Sequence, residues 1–122
     1  MDSSTFLDSY RQAFDAFDAD AIAAHYHFPS ILASIDGTQA FLSREDAVAR
    51  FTRVCDHHRR LGYHHASCDN VRSEELADNL WRLTVDWRFH SAAGNEILAF
   101  SCSYELGDYG DGPRVTAAIV HG

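Results

Sequence analysis

The chain has no lysine: all ten of its cationic side chains are arginine. We read this as the imprint of a GC-rich, bacterial genome rather than as a function. The cations are outnumbered by 18 acidic residues, giving a formal net charge of −8. That balance excludes the basic surface that nucleic acid or anionic lipid requires, and neither is expected as a partner. No apolar run approaches the ~20 residues of a membrane helix. The opening MDSSTFLDSYRQ has no cationic region ahead of an apolar stretch, so a secretory leader is not expected and a cytoplasmic location is. The three cysteines, Cys55, Cys68 and Cys102, are odd in number and form no CxxC spacing. A disulfide framework is thereby excluded in favour of reduced thiols. Also missing are repeats, low-complexity tracts, linkers, a glycine-rich phosphate loop and a nucleophile elbow. One domain over residues 1–122, without a cofactor, is the reading that remains.

What is present is material for a core. Hydrophobic residues make up 46% and aromatics 12% of the chain, enough for one core in a domain of this size. Phe6, Tyr10, Ala13, Phe14 and Phe17 form a helical stripe, with Thr5 as the expected cap. A short second helix follows from Asp18 or Ala19, with Ile22, Ala23 and Tyr26 inward, and Pro29 is expected to end it. Two apolar runs flank Asp36-Gly37, the signature of a tight hairpin. Ser43-Arg44-Glu45-Asp46 opens a third helix as a capping box, and Gly62 stops it. Its inward positions are Ala47, Val48, Phe51, Val54, Cys55, His58 and Leu61.

From His64 onward the apolar period changes from 3.6 to 2, predicting strands at roughly 64–73, 79–90, 96–107 and 113–121. Trp81, Leu83, Val85, Trp87 and Phe89 share one face of the second of these, and Leu98, Phe100, Cys102, Tyr104 and Leu106 one face of the third. The last strand is apolar on both faces, with Val115, Ala117 and Ile119 opposite Thr116, Ala118 and Val120. Such a strand needs cover on both sides, and a second copy of the chain is the expected cover.

The order helix, short helix, hairpin, long helix, antiparallel meander resembles the NTF2-like (SnoaL-like, ketosteroid-isomerase-like) superfamily. The residues that carry it are Tyr10-Arg-Gln-Ala-Phe14-Asp-Ala-Phe-Asp18-Ala-Asp20-Ala-Ile22, Ser43 to Phe51, and Asp111-Gly112-Pro113-Arg114-Val115, where proline replaces the usual tryptophan. The resemblance covers essentially the whole chain. It implies an α+β cone: three N-terminal helices on a strongly curved, mostly antiparallel sheet, with a hairpin between helices 2 and 3. It further implies that the cone is lined by Tyr10, Phe14, Phe51, Cys55, Trp81, Leu83, Val85, Trp87, Phe100, Cys102, Tyr104, Ala118 and Val120.

Ketosteroid isomerases of that superfamily use a first-helix tyrosine and a strand acid as donors to an enolate, with an aspartate near the first hairpin as base. Tyr10 stands at the tyrosine position. Ser34 falls near the base, with Asp36 two residues on, and Cys102 falls on the donor acid. A thiol donates weakly, so this activity does not transfer. His25-Tyr26-His27 offers a further group at the pocket mouth: Tyr26 first, and His27 as a tentative acid–base residue beside Tyr10. Asp86 and Arg88 resemble an Asp/Arg pair of epoxide hydrolases in the superfamily, yet their face is the polar one. His58 reads as a half-buried core histidine, and no histidine spacing suits a metal.

Two readings stand. One is a pocket for a small apolar molecule, serving binding or cofactor-independent isomerase, cyclase or dehydratase chemistry. The alternative is non-catalytic: a ligand-binding module without turnover, or a dimerisation domain whose cone is packed solid. An unfilled cavity with polar tips favours the pocket, with or without turnover; a cone filled by Trp81, Trp87 and Phe51 favours the packing domain.

Overall fold

In a computed structural model, residues 1–121 are described. Asp2 is the cap of α1 (Ser3–Asp15), its carboxylate accepting from the Ser4 and Thr5 amides. Thr5, the expected cap, instead lies inside the helix and donates its hydroxyl to Asp2. A carboxylate at the positive end of a helix is the stronger acceptor. Helix α2 (Ala19–Ala23) is shorter than its pattern suggests and stops before Tyr26.

Tyr26, His27 and Pro29 therefore belong to strand β1 (Tyr26–Ser34). Pro29 is tolerated there because it lies beyond the end of β2 and within a break in the pairing with β6. No ladder needs an N–H at that point. β1 returns as β2 (Gly37–Phe41) through Ile35-Asp36, and Gly37 takes the positive φ of 131° that a glycine permits.

Helix α3 (Arg44–Leu61) is bounded as its sequence implies. Ser43 Oγ accepts from the Asp46 amide at 3.4 Å, Asp46 accepts from the Leu42 amide, and Gly62 closes the helix with φ 85°. Ala47, Phe51, Cys55 and His58 form its buried stripe. Four long strands follow: β3 (His65–Ala77), β4 (Leu80–His90), β5 (Glu96–Asp108) and β6 (Pro113–His121). The six strands make one sheet in the order β2-β1-β6-β5-β4-β3, antiparallel except where β1 meets β6. The three helices pack on this curved sheet, an α+β arrangement.

Bulges steer the sheet. Between β5 and β6, Leu106 pairs with Val115 but Glu105 pairs with Ala117, leaving Thr116 as the extra residue. Side-chain parity flips there. Val115, expected on the outer face, consequently points inward beside Leu106 and Tyr26 and is fully buried. Ala118 and Val120 also face inward, leaving Ala117 and Ile119 outside.

Leu83 has no exposed surface, whereas Leu42 is 74% exposed. Leu83→Ala should cost about 2–5 kcal/mol in denaturant unfolding. Leu42→Ala should stay within about 0.5 kcal/mol of wild type. Equal effects would contradict the burial described.

Candidate functional site

The cone is not filled. Near its narrow end Ile22, Leu83, Val85, Leu106 and Val115 form a solid core. Further along the sheet the walls part around a cavity of about 650 Å³. α1 contributes Tyr10, Arg11 and Phe14; α3 contributes Arg50, Phe51, Val54, His57 and His58. The sheet contributes Tyr26, Leu32, Trp87, Phe89, Phe100, Cys102, Tyr104, Ala118 and Val120. The hairpin turn, with Ser34, Asp36 and Gln39, and the exposed Leu98 surround the mouth.

The deep wall carries neutral polar tips. The Tyr10 and Tyr26 hydroxyls are 2.9 Å apart, and Trp87 Nε1–H donates to the Tyr104 hydroxyl at 2.9 Å. Tyr10 packs edge-on to Tyr104, ring centres 5.6 Å apart. Only one hydrogen passes between Tyr10 and Tyr26, so one phenolic hydrogen of that pair is spare. Tyr104 receives from Trp87, and its own hydroxyl lies against the Cys102 thiol. Burial raises the pKa of Tyr10, Tyr26 and Tyr104 above the ordinary tyrosine value, and that of the Cys102 thiol to about 11. All four are donors at neutral pH.

His58 stacks on Tyr63 and meets Phe89 edge-on, at ring-centre distances of 5.1 and 4.8 Å. Desolvation, with His57 adding to it, lowers its pKa to about 4, so the imidazole is neutral. Tyr63 donates to Asp15 at 2.5 Å, and Asp15 also receives Arg11 at 2.9 Å and the Ala66 amide. This cluster pins the end of α1 to β3.

Of the residues expected to line the cone, Tyr10, Phe14, Tyr26, Phe51, Trp87, Phe100, Cys102, Tyr104, Ala118 and Val120 surround this cavity. Five do not. Cys55, Leu83 and Val85 are buried in the core cluster, 0–2% exposed, and do not border the cavity. Trp81 is at the far end of β4, against a separate recess with Phe6, Ser9 and His25. His27 points away because its neighbour Tyr26 points in, and it stacks on Tyr109 at 4.2 Å. Asp86 and Arg88 are on the outer face: Asp86 accepts from Asn70 and Ser101, and Arg88 pairs with Asp69 and Glu96. Arg50, Tyr63, Leu32 and Gln39 escaped the sequence reading, and His58 was read there as core. Only His58 carried a signal, its place on the inward stripe of α3. Among the described residues, no group of three or more His, Cys, Asp or Glu is arranged to hold a metal ion.

The family model described as "NTF2-like protein (DUF6841)" matches residues 2–122. The chain belongs to this family. No curated protein matches it. Among solved structures, an NTF2-like protein of unknown function from Shewanella oneidensis superposes with a TM-score of 0.76 at 13% identity, covering 98% of this chain and 95% of the other. A cystatin-like protein of unknown function from Nostoc punctiforme gives 0.78 at 8% identity, covering 97% and 86%. A protein of the NTF2-like family from Streptomyces avermitilis, provisionally labelled a dehydratase, gives 0.74 at 8% identity, covering 97% and 91%. At such identities the likeness shows the fold alone. In this NTF2-like chain Tyr10, Ser34, Asp36 and Cys102 all border the one cavity. Among the described residues, no helix is long and apolar enough to cross a membrane.

His58 links stability to pH. An unfolded histidine takes up a proton as pH falls through its ordinary 6.5, but folded His58 does so only near 4. The unfolded state thus binds more protons between these values, and stability drops as pH falls through that window. His25, its pKa lowered chiefly by desolvation, acts in the same direction. His58→Phe should therefore lose less melting temperature than wild type between about pH 7 and about pH 4.5. Identical losses would contradict a neutral, desolvated His58.

Proposed function

We propose that this NTF2-like protein binds an apolar, carbonyl-bearing small molecule in its cone and acts on it by cofactor-independent acid–base chemistry of the isomerase, cyclase or dehydratase type. The observation that carries this reading is the apolar cavity of about 650 Å³ whose deep wall holds the hydroxyls of Tyr10, Tyr26 and Tyr104, the Tyr10–Tyr26 pair having one hydrogen to spare. Its volume falls within the ~300–1,000 Å³ of small-molecule sites. Pre-aimed neutral donors in a water-poor site stabilise charge that develops on a carbonyl oxygen. His58 is the neutral imidazole on the cavity wall and the base available to such a reaction. The unfilled cone speaks for this reading over a solid packing domain.

Tyr10→Phe removes one hydroxyl and keeps the ring. It should leave the circular dichroism spectrum unchanged. Affinity for an apolar ketone such as 2-tetralone, read by tryptophan fluorescence, should weaken by about 0.5–1.5 kcal/mol. An effect on melting temperature alone would favour the packing domain.

We also propose that the chain forms a homodimer through the outer sheet face. Ile31 is 40% exposed there, beside Ala33, Ala117 and Ile119 on the paired strands β1 and β6. Sedimentation should find a dimer at micromolar concentration and a monomer for Ile31→Asp combined with Ile119→Asp. A monomeric wild type would overturn the interface.

A further inference from the structure

We infer that Arg50, on the cavity wall of α3, anchors an anionic head group, so that the ligand of this cone is an apolar carboxylic acid. The inference rests on the reading of the cone as a ligand site and names the charge of its occupant. Three shielded side-chain nitrogen or oxygen atoms lack a hydrogen-bond partner among the described residues: Ser30 Oγ, Arg50 Nε and His58 Nδ1. Two of the three, Arg50 and His58, belong to residues that line the cavity, and both are on α3. With Val54 and His57 they follow the spacing i, i+4, i+7, i+8, which brings them to one side of the helix. Each of these atoms is enclosed by protein, so they mark polar side chains held at the wall without a partner, and a ligand in the cavity would meet the terminal N–H groups of Arg50 rather than its Nε.

Charge then selects the ligand. The lining contains two arginines, Arg11 and Arg50. Arg11 is neutralised by Asp15 at 2.9 Å. Arg50 takes part in none of the ion pairs among the described residues, which engage Arg11, Arg59, Arg82 and Arg88. Among the described residues Asp36 is the one carboxylate of the lining, and it sits on the solvent-exposed hairpin turn and makes no ion pair with Arg50. A guanidinium presents paired N–H groups that match a carboxylate, and a partly buried one binds it with little screening. The remaining walls are aromatic and aliphatic, which suits the body of an apolar acid. A carbonyl elsewhere on such a molecule is free to meet the tyrosine hydroxyls.

The test compares acids with their own methyl esters. Binding of 2-naphthoate and decanoate, and of their methyl esters, is measured by isothermal titration calorimetry on wild type, Arg50→Gln and Arg50→Lys. Wild type should bind each acid at least about tenfold tighter than its ester. Arg50→Gln should abolish that preference while changing ester affinity by less than about twofold, and Arg50→Lys should keep part of it. Added salt should weaken the acids and not the esters in wild type, a readout that stands even if a variant fails to fold. Esters bound as tightly as acids, or a preference that survives in Arg50→Gln, would overturn the inference and leave the pocket intact. Failure of acids and esters alike would overturn the pocket and this inference together.

Discussion

The structure depends on how four buried polar tips are satisfied at the deep wall of the cone. Tyr10 on α1 meets Tyr26 on β1, and Trp87 on β4 meets Tyr104 on β5. Buried hydroxyls and an indole N–H without partners would each be destabilising by about 1–3 kcal/mol. Pairing them two by two removes that cost and ties the first helix to the sheet. It also leaves a hydrogen over on the tyrosine pair. A hydroxyl pair shares one hydrogen and retains another, so the arrangement that stabilises the core provides donors to the cavity. Structure and chemistry share the same atoms.

The cavity follows from the sheet's irregularities. The extra residue at Thr116 and the break between Phe89 and His90 bend the strands around the helices. On the Leu83–Val115 side the curved layers close on one another. On the Trp87–Val120 side the large rings of Phe14, Phe51, Phe89 and Phe100 line the walls and leave the centre open. Arg50 and His58 line that space from α3, Arg50 without an ion pair among the described residues, while Arg11 on α1 is paired with Asp15. The site is thus asymmetric: neutral donors at the deep wall, and on α3 a guanidinium with no ion pair among the described residues.

Much of the fold was legible in the residue pattern. The period-2 faces of β4 and β5, the Ser43 cap and the Gly62 stop are local signals that reappear in the structure, as does the hairpin, its turn at Ile35-Asp36 one residue earlier than Asp36-Gly37 suggests. The errors arose where distant pairing overrides local pattern. Pro29 reads as a helix stop, but a missing ladder partner makes it acceptable in a strand. Val115 reads as outward by alternation, and one inserted residue reversed it. The site was legible as a set of inward faces but not in its depth. Strand parity cannot tell Leu83, in solid core, from Trp87 at a cavity wall. Arg50 gave no signal, because a single arginine on a helix resembles any solvated charge until its surroundings are known.

The central claim is that the cone is open and that its tyrosine hydroxyls receive a carbonyl. Diffraction from crystals soaked in 2-tetralone tests it most directly. The account predicts density for the ketone within the cone, its oxygen about 2.7–3.0 Å from the Tyr10 or Tyr104 hydroxyl. A cone closed by the rings of Phe51 and Trp87, with no ketone inside, would contradict it.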